Sequence, residues 1–172
     1  LAAHQKAKEM MAEYVEMRTG VRLDPKRPII SYGRRAVGYK RLELPFLDRE
    51  RFAGILKKHG AQLVIGAKAH PNYHEGKLII QRLYGDIRYL RDGGINAVVI
   101  QNYDMPACKS MASGSDAWLN MPEIPLEASG TSGMCAAHNG VPQLSSIAGW
   151  WLEGLAEGIT GWSIGGNVSD YF

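Results

Sequence analysis

The sequence predicts an α/β domain, a Rossmann-like doubly wound parallel sheet, and three observations carry that prediction. Short apolar runs recur at Ile29 to Gly33, Gln62 to Gly66, Asn96 to Ile100 and Asp116 to Leu119. Longer stretches of helical spacing lie between them, so each run is too short for a helix and most connections are long enough to hold one. Strand-helix-strand units of this kind give parallel strands joined by right-handed crossovers. The chemically distinctive residues follow the runs directly, where such sheets bind ligands.

Taken in order, residues 2–18 set Ala3, Ala7, Met10, Met11, Tyr14, Val15 and Met17 among Lys, Glu and Gln, which predicts a leading helix over 1–20 that stops at Gly20. Its Met-rich stripe reads as core packing in preference to a binding groove. Asp24 to Pro28 is a turn, and the first strand then runs into Arg34-Arg35-Ala36-Val37-Gly38-Tyr39-Lys40-Arg41. A helix over Asp48 to His59 precedes the second strand. The loop Lys68 to His74 opens another that reaches about Tyr89, and Asn102-Tyr103-Asp104 opens a short one to Ser113. The fourth run leads into the loop Pro122 to Gly133. The parallel core is expected over 29–148, a Gly- and aromatic-rich tail over 149–172, and one domain over 1–172. Trp150, Trp151 and Trp162 either stack on a sugar or close the sheet edge.

At 172 residues and 45% hydrophobic content, the chain can bury one ordinary core and has no room for a second full domain. The net charge of +3 comes without a block of like charges and argues for neither nucleic acid nor membrane binding. A nucleic-acid module built on Arg34 to Arg41 would lack the extended basic face and stacking aromatics such binding needs. Two cysteines, Cys108 and Cys135, make no disulfide framework, which points to a reducing, cytoplasmic setting. The start shows no secretory leader, and no apolar run reaches the roughly 20 residues of a membrane helix. A first residue of Leu1, with helical character from the outset, leads us to expect a piece of a longer chain. Neither Gly-x-Gly-x-x-Gly after the first strand nor a P-loop is present, so NAD dehydrogenases and P-loop nucleotidases drop down the list.

The stretch from Glu127 to Gly133, Glu-Ala-Ser-Gly-Thr-Ser-Gly, has the composition of an anion site at a helix start. Glycine admits a ligand close to the backbone, free N–H groups and the helix dipole favour phosphate, and Ser129, Thr131 and Ser132 add hydroxyl donors. Glu127 would repel phosphate and is expected to accept hydrogen bonds from a neutral polyol such as a sugar. An ordinary capped helix start is the competing reading. Arg34, Arg35, Lys40, Lys68 and His70 follow the first two strands, Tyr103 the third and Glu127 to Gly133 the fourth. The loops are therefore expected to converge on one oxyanion crevice.

Together these loops resemble the C-terminal half of the α-glucan phosphorylases, the glycogen, starch and maltodextrin phosphorylase family, most of all its shorter bacterial and archaeal branch. The resemblance rests on Glu127-Ala128-Ser129-Gly130-Thr131-Ser132-Gly133-Met134 with Asn139-Gly140-Val141-Pro142 and Gly149-Trp150-Trp151. Arg35 with Tyr39-Lys40-Arg41, and Lys68-Ala69-His70-Pro71 with Lys77, match two further family motifs. The family folds as two Rossmann-like domains of the GT-B glycosyltransferase type around one active site, and this chain resembles the second. The resemblance implies that Arg35 and Lys40 hold the substrate phosphate as catalytic residues, with Arg34 close by. It implies that Glu127, Ser129 and Gly130 contact the glucose ring, and that Thr131 and Ser132 hold the phosphate of pyridoxal phosphate with Tyr103 near that cofactor. The implied reaction is phosphorolysis of α-1,4-glucan to glucose 1-phosphate with retention. Implied partners are the glucan, phosphate or glucose 1-phosphate, the missing N-terminal domain or another chain, and, as an open alternative, a second copy in a homo-oligomer. Alone, with half the crevice wall missing, the chain is expected to be inactive.

One departure stands out. Where the family has the Schiff-base lysine of the cofactor, this chain has Cys135, and a thiol cannot form that covalent link. Two alternatives therefore stay open: a non-catalytic sugar- or phosphate-binding relative, and a nucleotide-sugar glycosyltransferase of the same architecture. His138 replaces a usually apolar family residue. Cys135 and His138 share a helix face at metal-ligand spacing, with Cys108 and His70 as imaginable partners, yet two ligands do not make a site and no metal is expected.

Overall fold

A computed structural model, which describes residues 1–165, contains the strands β1 (Ile29–Arg35), β2 (Gln62–Lys68), β3 (Ala97–Gln101), β4 (Ala117–Asn120), β5 (Gln143–Ser146) and β6 (Gly161–Ile164). They form one six-stranded sheet in the order β3-β2-β1-β4-β5-β6, parallel at every pairing. The helices are α1 (Ala2–Thr19), α2 (Arg49–Lys58), α3 (His74–Asp92), α4 (Met105–Gly114), α5 (Thr131–His138) and the single turn α6 (Trp151–Gly154).

The alternation of side chains along each strand divides the core in two. Leu63, Ile65 and Ala67 of β2 and Ala97 and Val99 of β3 face a layer made by Leu56 of α2 and Ile79, Leu83, Ile87 and Leu90 of α3. Val64, Val98, Ile100 and Trp118 face the opposite layer, where Met11 and Val15 of α1 meet Ala107 and Met111 of α4 and Ala136 of α5. Strands with helices on both sides must be apolar on both faces, which is why they read as continuous apolar runs and not as alternating ones. Trp118 and Trp151, both fully buried, are the largest side chains in the core.

Two expectations change. The stripe of α1 was expected to bury Met10 and Met17, but these are 58% and 72% exposed. The face that docks carries Lys8, Met11, Ala12 and Val15. Lys8 is admitted to it because its ammonium pairs with Asp116 at 2.7 Å and donates to the Arg27 carbonyl at 3.0 Å, so no buried charge is left alone. The sheet also takes in two strands the sequence did not single out: Gln143–Ser146, inside the expected 29–148 core, and Gly161–Ile164, within the tail. Their short mixed sequences carry no apolar run, so only pairing with a neighbour reveals them. Trp162 lies on this edge strand, and residues 166–172 of the tail lie outside the described residues. Among the described residues no helix is long and apolar enough to cross a membrane.

The strand order reverses between β1 and β4. Their crossovers leave toward opposite faces, so a crevice opens at their carboxyl ends. The loops bearing the Arg34 to Arg41 and Glu127 to Gly133 motifs meet there.

Candidate active site where the strand order reverses

The end of β1 sorts its two arginines by pleat. Arg34 turns inward and is 6% exposed, whereas Arg35 is on the open face. A 3-10 turn, Gly38–Lys40, and Arg41 at φ 49° then reverse the chain. That reversal is stitched to the segment after β4. The Tyr32 hydroxyl donates to the Lys40 carbonyl at 2.5 Å and accepts the Met121 N–H at 3.3 Å. Arg41 donates through Nε and Nη2 to the carbonyls of Met121 and Pro122, both at 2.8 Å, and the Glu123 N–H donates to the Tyr39 carbonyl at 2.7 Å. Burial, its main cause, pushes the Tyr32 pKa up to about 12, so the phenol remains a donor at any physiological pH. Tyr32 and Arg41 were not expected in these roles. Arg41 stands in a quoted motif, but its left-handed backbone and its target carbonyls are tertiary facts.

The stitching brings Lys40 and Glu127 together. Lys40 Nζ donates to Glu127 Oε2, and Arg34 Nη1 lies 3.7 Å from the same oxygen. Lys40 and Glu127 are only 6% and 8% exposed. Glu127, expected to accept hydrogen bonds from a sugar, is here also an ion-pair partner, because two basic side chains buried beside it need a counter-charge. The set still carries a surplus cation. Arg34 Nε and Nη2 are buried with no hydrogen-bond partner, so donors are left over for an incoming anion.

Helix α5 begins against this set. Gly130, in the left-handed region at φ 95°, precedes its first residue, and no side chain caps it; the Gly133 N–H donates to the Gly130 carbonyl at 3.1 Å, and the N–H groups of Thr131 and Ser132 are uncommitted among the described residues. A Cβ at Gly130 would stand 3.5 Å from Glu127 Oε1 and 3.6 Å from Arg34 Nη2, which fixes how closely the helix start meets the charges. The Ser132 hydroxyl is buried without a partner. Ser129 and Thr131 are exposed, the Ser129 hydroxyl lying 3.7 Å from the Met134 sulfur. Gly149 holds the stretch from behind: a Cβ there would meet the Ser129 carbonyl oxygen at 2.2 Å, and the Trp150 N–H donates to that oxygen at 3.0 Å.

Tyr103 closes the floor. A Cβ at Gly33 would fall 2.5 Å from its hydroxyl oxygen and one at Gly66 2.4 Å from its ring, so both strands have glycine where the ring lies. Burial first, and then the neighbouring Cys108 thiol, raise the pKa of this phenol; Arg34 and Cys135 also act on it electrostatically. Apart from the Cys108 thiol its hydroxyl has no hydrogen-bond partner among the described residues. Lys68, His70 and Lys77, by contrast, are exposed, and none forms an ion pair among the described residues. Cys135 and His138 are both exposed on α5, and no group of three or more His, Cys, Asp or Glu side chains that could hold a metal occurs among the described residues.

A phosphate monoester such as that of pyridoxal phosphate fits the start of α5: the partnerless Ser132 hydroxyl, the uncapped N–H groups and Arg34 are all donors. An imine link does not fit at Cys135, which carries a thiol and no amine.

Comparison with known proteins agrees with the loops. The carbohydrate phosphorylase family matches over residues 1–157. The maltodextrin phosphorylase of Thermococcus litoralis is 38% identical over 177 aligned residues, covering 95% of this chain and 21% of the relative. The glycogen phosphorylase of Aquifex aeolicus is 42% identical over 160 residues, covering 92% of this chain and 23% of the relative. That of Mycobacterium tuberculosis is 38% identical over 145 residues, 82% and 16% respectively. The chain thus spans about a fifth of the length of these relatives. With the family matched over most of its length and two phosphorylases above 35% identity across nine-tenths of it, the chain belongs to the carbohydrate phosphorylase family.

Proposed function

We propose that this chain supplies the phosphate- and sugar-holding wall of an α-glucan phosphorylase active site, where α-1,4-glucan is split by inorganic phosphate to give glucose 1-phosphate. The observation that carries the reading is the buried Arg34–Glu127–Lys40 set with its surplus cation, placed at the uncapped start of α5. Lys40 and Arg34, joined by Arg35 from the open face, hold the substrate phosphate. Glu127, Ser129 and Gly130 orient the terminal glucose. Thr131 and Ser132, with the α5 N–H groups, hold the phosphate of pyridoxal phosphate, beside Tyr103. When bound, that cofactor supplies a phosphate group able to exchange a proton with the substrate phosphate. The opposite wall belongs to a part of the enzyme beyond this chain, so the isolated chain binds without turning over.

Cys135 favours a second reading, a relative that binds sugar and phosphate without catalysis. Both are tested by titrating pyridoxal phosphate, followed by absorbance, into the chain and into Cys135→Lys, then treating each with borohydride and weighing it. Reversible cofactor binding by the chain, with a borohydride-stable adduct only in Cys135→Lys, supports the phosphorylase reading. Failure of both to bind the cofactor while phosphate still binds supports the second.

A further inference from the structure

Glu127 serves two partners that cannot both have it unchanged. Its Oε2 accepts from Lys40 and lies 3.7 Å from Arg34 Nη1, while its Oε1 faces the start of α5, 3.5 Å from where a Gly130 Cβ would be. A carboxylate so placed is the anion of an anion site: it satisfies the buried ammonium and complements the helix dipole. An entering phosphate needs the same Lys40 and the same helix start. Among the described residues, the buried side-chain donors left without a partner beside it are Arg34 Nε and Nη2 and Ser132 Oγ. Bringing a dianion beside a buried carboxylate costs repulsion unless the carboxylate is drawn off Lys40, and hydroxyl donors of a sugar are the groups that draw it off.

On this basis, and resting on the phosphate and sugar roles proposed above, we propose that Glu127 is an internal counter-anion that couples the two substrates. In the empty site it holds Lys40. A sugar that engages Glu127 releases Lys40 to phosphate, and phosphate on Lys40 releases Glu127 to the sugar. Each ligand therefore strengthens the other, by the same factor in both directions. Glu127 thus selects against lone anions: phosphate without a sugar must compete with a carboxylate already in place.

The test is calorimetric titration of the chain with inorganic phosphate, with and without saturating D-glucose, repeated for Glu127→Gln, whose amide keeps the shape and removes the charge. In the unaltered chain, glucose should lower the phosphate Kd at least about fivefold, the lower end of typical site-to-site coupling. In Glu127→Gln, phosphate should bind without glucose as tightly as it binds the unaltered chain with glucose, and glucose should then make no difference. Equal phosphate affinity with and without glucose, when both bind, overturns the coupling while leaving the phosphorylase reading standing. If glucose alone fails to bind, the variant decides: tighter phosphate binding supports the counter-anion, unchanged or weaker binding overturns it. If neither phosphate nor glucose binds, the reading of the site itself falls. Should Glu127→Gln not fold, the effect of glucose on the unaltered chain decides alone.

Discussion

Replacing Lys40 with Met removes the ammonium and keeps much of the stem volume, leaving Glu127 buried with no hydrogen-bonding partner. Arg34 Nη1 at 3.7 Å lies beyond hydrogen-bond distance and offers only attraction through space. Removing one member of a buried pair costs about 3–5 kcal/mol, because the partner's charge is left uncompensated. With Arg34 still facing the carboxylate, we expect the lower end, ~3 kcal/mol. For a chain of this size that corresponds to a fall in Tm of about 6–12 °C. Urea denaturation followed by tryptophan fluorescence measures it, read as a shift of the midpoint at constant slope. The double variant Lys40→Met with Glu127→Gln should recover most of the loss, since no anion is then stranded. A loss under about 1 kcal/mol, the value of an exposed pair, or a double variant no better than the single one, would refute the claim that this carboxylate is buried on its lysine.

Three further outcomes are expected. Gly66→Ala drives a methyl into the Tyr103 ring, 2.4 Å from its nearest carbon, and should cost about 1–3 kcal/mol by thermal melting; Tyr103→Ala should relieve part of it, and no relief would place the clash elsewhere. Gly149→Ala, at φ 59° with 2.2 Å to the Ser129 carbonyl oxygen, should displace the Glu127 to Gly130 stretch and weaken phosphate binding; a variant with unchanged affinity would show that Gly149 does not hold this loop. Asp116 anchors α1 to the start of β4: burial pushes its carboxyl up, but Lys8, the Ile29 N–H and His4 together hold it below its ordinary value. A carboxyl lowered by folding stabilises above its unfolded pKa, and that stability is lost as pH falls through the folded value. Melting temperature should therefore drop as pH falls below the ordinary carboxyl value of about 3.9, and Asp116→Asn should be less stable at neutral pH with a shallower acid limb; an identical acid limb would count against the anchor.

The runs that became β1 to β4 were legible because a strand buried on both faces needs no alternation, and few other elements look like Ile29-Ile30-Ser31-Tyr32-Gly33. The glycine and hydroxyl residues of Glu127 to Gly133 were legible as a helix start, and α5 begins within that stretch at Thr131. The family motifs gave the order of the loops, and strand order brought them together. Beyond this the chain alone was silent. Strands β5 and β6 exist because a neighbouring edge supplies hydrogen bonds, which no local composition encodes. Met10 and Met17 share the helical stripe of α1 with Met11 and Val15, and only the direction from which α4 packs decides which are buried. The choice of Arg34 over Arg35 as the buried guanidinium follows from the pleat of β1 and the face it turns inward. Above all, Glu127 reads in sequence as a group for a sugar, and in the fold it is first a counter-charge for Lys40. Residue type fixes what a side chain can do; the partner it meets across 87 positions of chain is set by the order of the sheet.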